Sequence, residues 1–257
     1  FNVLENTSEF KNIRFYLIGG QLRDVWISHA NLGARVTEDI DFSILLEEDC
    51  PWEELVGYLT LEQGLIRDPL RPYRFYLNRE QIDLIPFGYL EKNSEIEILP
   101  PKMVISVDGF SLVKESFHLI NDKYRVLHLE AFLLLKLISW SEKMYERKKD
   151  IDDFVLIVKY LQDINHDIIY EDIFRELLFE VDNEVIHARI IAERMKPIVA
   201  RDQRIASKIN EAVMKYLGGT SEAEINEQYE EYKASNVLND TPLRQKILYE
   251  FSSHLNS

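Results

Sequence analysis

Phe15-Tyr16-Leu17-Ile18-Gly19-Gly20-Gln21-Leu22-Arg23-Asp24 and, further along, Asp39-Ile40-Asp41-Phe42-Ser43-Ile44 decide how this chain reads. The first stretch opens as a short aromatic and aliphatic run, the mark of a buried strand. Two glycines follow, which let the backbone turn tightly and let a bulky anion approach main-chain N–H groups. Gln21 to Ala30 has helical spacing, and the free N–H groups at its start would face such an anion. A Gly-Gly alone is more often an ordinary strand-to-helix turn. Neither the three-glycine dinucleotide pattern nor a phosphate loop ending in Gly-Lys-Ser/Thr is present.

The second stretch shifts the balance. Alternate residues of a strand share a face, so Asp39 and Asp41 project together, roughly 7 Å apart, while Ile40, Phe42 and Ile44 point to the opposite face. Two like charges on a half-buried strand repel and lose hydration. A divalent cation relieves both, and hard oxygen ligands suit Mg²⁺. By itself Asp-x-Asp is as readily an exposed strand start. A third acid, Asp83, lies in the apolar run Gln81-Ile82-Asp83-Leu84-Ile85. If that strand lies beside the Asp39/Asp41 strand, three carboxylates converge, as a two-metal in-line displacement at phosphorus requires.

Gly-Gly, a helix, Asp-x-Asp and a later strand Asp resemble the nucleotidyltransferase fold of the DNA polymerase beta superfamily. Gly19-Gly20-Gln21-Leu22-Arg23-Asp24 also resembles the opening of CCA-adding enzymes, although the gap to Asp39 is longer here. Leu135-Lys136-Leu137-Ile138-Ser139-Trp140 and then Arg147-Lys148-Lys149-Asp150-Ile151-Asp152-Asp153 are similar to the AbiEii-like predicted nucleotidyltransferases, a branch that includes bacterial toxins of type IV toxin–antitoxin systems. The resemblance spans roughly residues 13 to 161. It implies metal ligation and catalysis by Asp39, Asp41 and Asp83, NTP binding by Gly19, Gly20, Gln21 and Arg74, and catalytic roles for Lys136 and Asp150, with Lys136 and one or more of Arg67, Arg71 and Arg74 neutralising the leaving group. Toxin-type relatives place a hydroxyl residue after the glycines, where Gln21 stands here; Gln21 keeps a hydrogen-bond donor at that place.

The 257 residues suit one large domain or two smaller ones, and 46% hydrophobic with 29% charged residues is ordinary for a globular protein. The best apolar run, Ala131 to Trp140, is too short for a membrane span and is interrupted by Lys136. No secretory-leader pattern opens the sequence, and the single cysteine, Cys50, excludes an internal disulfide; together they lead to the expectation of a cytoplasmic protein. A net charge of -15 argues against broad, non-specific nucleic-acid binding. Local basic clusters remain: Arg67, Arg71, Arg74 and Arg79 ahead of Asp83, and Lys143, Arg147, Lys148 and Lys149 ahead of Asp150.

The pattern predicts an α+β protein: a mixed N-terminal sheet of nucleotidyltransferase type with flanking helices over 1–128, then a helical half over 129–257. Phe1 to Lys11 reads as a helix or irregular lead-in, and Asn31 to Glu38 as a loop. Strands are expected at Ile13–Ile18, Asp39–Leu46, Tyr73–Leu77, Gln81–Ile85 (stopped by Pro86-Phe87-Gly88) and Tyr124–Leu127. A helix opens at Pro51, with Asp49 as its cap. Leu129 to Tyr145, apolar nearly all round, reads as a buried helix. Lys136 within it either meets a nucleotide phosphate or snorkels to solvent. Asp150 is placed to cap the next helix or, by the resemblance, to orient a substrate hydroxyl or pair with Lys136. Helices are expected at Glu171–Glu180, Val185–Ala200, Gln203–Leu217, Ser221–Lys233 and Pro242–Ser252. The histidines show no metal spacing.

These readings lead to an expected function: transfer of a nucleoside monophosphate from an NTP to an acceptor hydroxyl, with two Mg²⁺ ions and release of pyrophosphate. The acceptor is a tRNA end, a small molecule or a protein, and a cognate antitoxin is a candidate partner. The rival is a catalytically inactive nucleotide-binding or protein-interaction module on the same fold.

Overall fold

The computed structural model describes residues 7, 13–30, 32–33, 39–120, 124–171, 182–234 and 240–257. The expected elements at 1–11 and 171–180, and most of the loop at 31–38, lie outside them. The chain divides into two compact units, Phe1–Trp26 with Gly33–Phe132, and Ile27–Leu32 with Leu133–Ser257.

The first unit is built on strand β1 (Arg14–Leu17), helix α1 (Gly19–Ile27), strand β2 (Asp39–Leu46), helix α2 (Trp52–Leu61), then β3 (Ile66–Arg67), β4 (Arg74–Leu77) and β5 (Glu80–Gly88). A hairpin of β6 (Glu95–Ile98) and β7 (Met103–Ser106), a short helix α3 (Phe110–Val113), β8 (Phe117–Ile120) and β9 (Tyr124–Leu127) complete it. Among the described residues seven strands form one mixed sheet in the order β3-β4-β5-β2-β1-β9-β8. β2 is central, antiparallel to β1 and parallel to β5. Its apolar residues Phe42 and Ile44 are buried, but so are Ser43 and Leu45 on the carboxylate-bearing face. Both faces of the strand are therefore covered from Phe42 onward, and only its first turn of pleat stays partly open.

The β4–β5 hairpin closes through Asn78 and Arg79, both with left-handed φ (51° and 78°), the two-residue geometry that matches strand twist. β5 does not stop at Pro86. It runs to Gly88, with Pro86 opposite Ile44 of β2. By that point β4 has ended, so the missing N–H of proline breaks no ladder on that side. Helix α2 packs through Trp52, Leu55, Val56 and Leu59, with Trp52 edge-on to Phe75 at 6.2 Å. Its N-cap position is Pro51, with no side-chain cap, which corrects the expected role of Asp49. The proline shifts the helix start one residue later than expected.

The second unit is helical. Helix α4 (Leu129–Glu142) is buried on nearly every side, including Leu133, Leu134, Leu137, Ile138 and Trp140. It is followed by α5 (Lys148–Lys159), α6 (Leu161–Ile164), α7 (Asn183–Val199), α8 (Gln203–Leu217), α9 (Glu222–Ala234) and α10 (Thr241–Leu255). Local chemistry sets the ends. Asp202 accepts from the Arg204 N–H at 3.0 Å to cap α8, and Gly218 (φ 65°) stops it. Ser221 and Glu224 satisfy each other's N–H groups in a capping box at the start of α9. Phe154 of α5 meets Phe251 of α10 edge-on at 4.9 Å. The buried His187 Nδ1 donates to the Val158 carbonyl at 3.0 Å, and burial pulls its pKa down, so it stays neutral and structural. Glu250, buried beside Lys246 and Arg189, is raised by burial but lowered further by its hydrogen bonds to both.

Candidate active site

Strand register brings the three carboxylates of the first unit together. In the parallel β2–β5 pair, Asp41 lies opposite Asp83 and Asp39 opposite Gln81. One carboxylate oxygen from each of Asp39, Asp41 and Asp83 lies within 4.8 Å of the other two. Asp83 is buried, and the other two are half-buried. Three formal negative charges at this separation repel strongly unless cations or donors intervene.

The glycine turn closes one side of this cluster. The Ile18 N–H donates to the Asp41 carbonyl at 3.0 Å, which carries β1 directly past Asp41. Gly19 then takes φ 67° and begins α1. A Cβ built on Gly19 would fall 2.0 Å from Asp41 Oδ2, so any side chain there would force Asp41 to move. The start of α1 at Gly19 therefore lies against the Asp41 carboxylate. The helix begins at Gly19, two residues earlier than the spacing suggested. Arg23 lies within α1 but away from solvent. It is buried and paired with Asp24, its Nε donating to Oδ1 at 2.8 Å, while Val25 is the exposed residue of the helix.

Arg74 sits on β4 directly opposite Asp83. Its Nε donates to Asp83 Oδ1 at 2.8 Å and its terminal amine to Oδ2 at 2.7 Å, a two-pronged pair that takes both oxygens. That hydrogen bonding holds the guanidinium's pKa above its ordinary value. Gln81 Nε2 approaches Asp39 Oδ2 at 3.3 Å. Neither partnership was expected from sequence, because both depend on register rather than on local spacing. Tyr73, next to Arg74, has its pKa raised mainly by burial and by the charge of Asp83, against the opposing charges of Arg74 and Arg71.

Two further arginines of the basic stretch lie in local hydrogen-bonded turns and contacts. Arg67 donates to the Pro72 and Leu99 carbonyls at 2.9 and 3.2 Å and pairs with Glu53 at 3.3 Å. Arg71 lies in a turn organised by Asp68, whose Oδ1 accepts from the Leu70 and Arg71 N–H groups.

Lys136 and Asp150 belong to the second unit. Lys136 Nζ donates to Asp150 Oδ1 at 2.7 Å and to Asp153 Oδ2 at 3.0 Å. Arg147 Nε lies 2.6 Å from the other Asp150 oxygen. All of Lys136, Asp150 and Asp153 are nearly withdrawn from solvent, so the lysine does not snorkel. Asp150 does not cap α5 either. The helix starts at Lys148 with Arg147 at the N-cap, which places Asp150 in the first turn with its carboxylate turned to the two cations. Asp153, one turn further along the same face, is the partner of Lys136 that the sequence reading did not single out. Its signal was the Asp150–Asp153 spacing of three.

Hard carboxylate oxygens at this spacing fit a divalent cation of the Mg²⁺ type, and Asp39, Asp41 and Asp83 are the residues that would hold it. No protein-family model matches the chain, and no curated protein matches it. Among solved structures it is similar to the antibiotic-resistance factor ANT(2'')-Ia. The two are 14% identical, the match covers 63% of this chain and 84% of that one, and the TM-score is 0.35. Among the described residues, no helix is long and apolar enough to cross a membrane.

Proposed function

We propose that this protein is a metal-dependent nucleotidyltransferase that moves a nucleoside monophosphate from an NTP to an acceptor hydroxyl and releases pyrophosphate. The observation that carries this reading is the convergence of Asp39, Asp41 and Asp83 against the first turn of a helix that opens on Gly19. The resemblance of the glycine turn to CCA-adding enzymes, and of the Lys136–Asp150 string to AbiEii-like nucleotidyltransferases, supports it.

Each residue has a physical task. The first turn of a helix points its N–H groups outward along the axis, and at the start of α1 that arrangement suits a phosphate. Asp41 lies between that turn and Asp83, so it joins the phosphate-binding turn to the other carboxylate. Asp83, desolvated on β5, is the candidate to accept a proton from the acceptor hydroxyl. Mg²⁺ bound by the three carboxylates would supply charge neutralisation at the transferred phosphoryl group. Lys136, held by Asp150 and Asp153, is a preorganised cation suited to a polyphosphate, and Asp150 fixes its position. Acceptor choice follows from chemistry: a tRNA end fits the toxin-like resemblance, and a small hydroxylated molecule fits the acidic net charge. A cognate antitoxin belongs to the same reading.

The rival is an inactive nucleotide-binding module, favoured by the way Arg74 engages both oxygens of Asp83. Pyrophosphate release with each NTP and an acceptor mixture, measured on wild type and Asp41→Asn, separates the two. The transferase reading predicts at least about a thousand-fold loss of turnover in a variant whose circular dichroism is unchanged, the scale expected when charge stabilisation at a reacting centre is removed. Undiminished turnover in folded Asp41→Asn contradicts it.

A further inference from the structure

We infer that Arg74 is a built-in competitor for the metal centre, one that sets how tightly Asp83 can be used as a ligand; this rests on the metal-dependent reading above. The β4–β5 register fixes the pair: Arg74 and Asp83 face each other across the hairpin, and the turn at Asn78-Arg79 holds that register. The guanidinium spans both Asp83 oxygens at 2.7 and 2.8 Å, with both side chains close to fully buried. Its charge therefore offsets part of the repulsion among three carboxylates whose oxygens lie within 4.8 Å of one another.

A cation arriving at Asp83 meets that guanidinium in two ways. It competes for the lone pairs that Arg74 already holds, and it is repelled by a like charge at contact distance. Full coordination by Asp83 requires Arg74 to loosen at least one of its two hydrogen bonds. The same residue keeps the carboxylate cluster stable without a metal and lowers affinity when a metal is present. A residue that only braced Asp83 would have the opposite effect, because removing it would loosen a ligand and weaken binding.

The sign of one measurement decides between these roles. Mn²⁺ affinity is followed by electron paramagnetic resonance on wild type, Arg74→Gln, Arg74→Lys and Arg74→Gln/Asp83→Asn, each first checked for folding by near-UV circular dichroism. We expect Arg74→Gln to bind Mn²⁺ at least about ten-fold tighter, since even a screened contact charge exceeds that factor. Arg74→Lys, a point charge that cannot span both oxygens, falls between the two, and it carries the test if the glutamine variant does not fold. The added Asp83→Asn change removes the gain. Equal or weaker binding in Arg74→Gln or Arg74→Lys overturns the inference while leaving the metal-dependent function standing. Absence of Mn²⁺ binding to wild type and all variants overturns both.

Discussion

Gly19 shows how a single residue fixes the chemistry of this chain. The sequence suggested glycine for its freedom near phosphate, but the stronger constraint is closeness: a Cβ would sit 2.0 Å from Asp41 Oδ2 at a backbone with φ 67°. Gly19→Ala should destabilise the protein by about 1–3 kcal/mol, the scale of a strained left-handed residue. It should also push Asp41 away from Asp39 and Asp83, so Mn²⁺ affinity falls more than thermal stability does. Thermal melting with Mn²⁺ titration checks this, and a variant with unchanged melting temperature and metal affinity would contradict the packing described. Arg74 makes the complementary point. The sequence marked it as an NTP-binding residue within a basic stretch; its pairing with Asp83 follows only from its register opposite that residue.

Elements were legible where one local pattern decided them. Asp39–Leu46 and Gln203–Leu217 keep the bounds expected of them, the first as an apolar strand carrying alternate acids, the second stopped by the glycine after Leu217. Elements were misread where a neighbour decided. Pro86 read as a terminator because proline breaks ladders, yet β5 passes through it where β4 has already ended. Asp150 read as a cap or, by the resemblance, as a partner of Lys136; the cap does not form, whereas the pair with Lys136 does, with Arg147 at the other oxygen. The α4–α5 pair supplies its own prediction. Lys136→Met leaves Asp150 and Asp153 buried with reduced compensation, and should cost about 3–5 kcal/mol in denaturant unfolding. Adding Asp150→Asn and Asp153→Asn should restore much of that loss. Failure of the triple variant to recover would show that the lysine's stem packing, rather than its charge, holds these helices together.

At the scale of the whole molecule, composition settled little beyond class. The net charge of -15 sets a poor general surface for polyanions, yet it does not describe the cluster, where acids are gathered by strand order and a helix N-terminus lies against one of them. The mixed sheet followed by helices was readable from the change of period near Leu129, and the seven-strand order was not, because strand pairing at long separation leaves no local trace. The central claim is that Asp39, Asp41 and Asp83 form a metal centre that holds a nucleoside triphosphate. Isothermal calorimetry of the four NTPs, with and without Mg²⁺, on wild type and Asp39→Ala/Asp41→Ala tests it most directly. The account predicts Mg²⁺-dependent binding of at least one NTP to wild type and its loss in the folded double variant. Binding that is indifferent to Mg²⁺ and to both aspartates would contradict it.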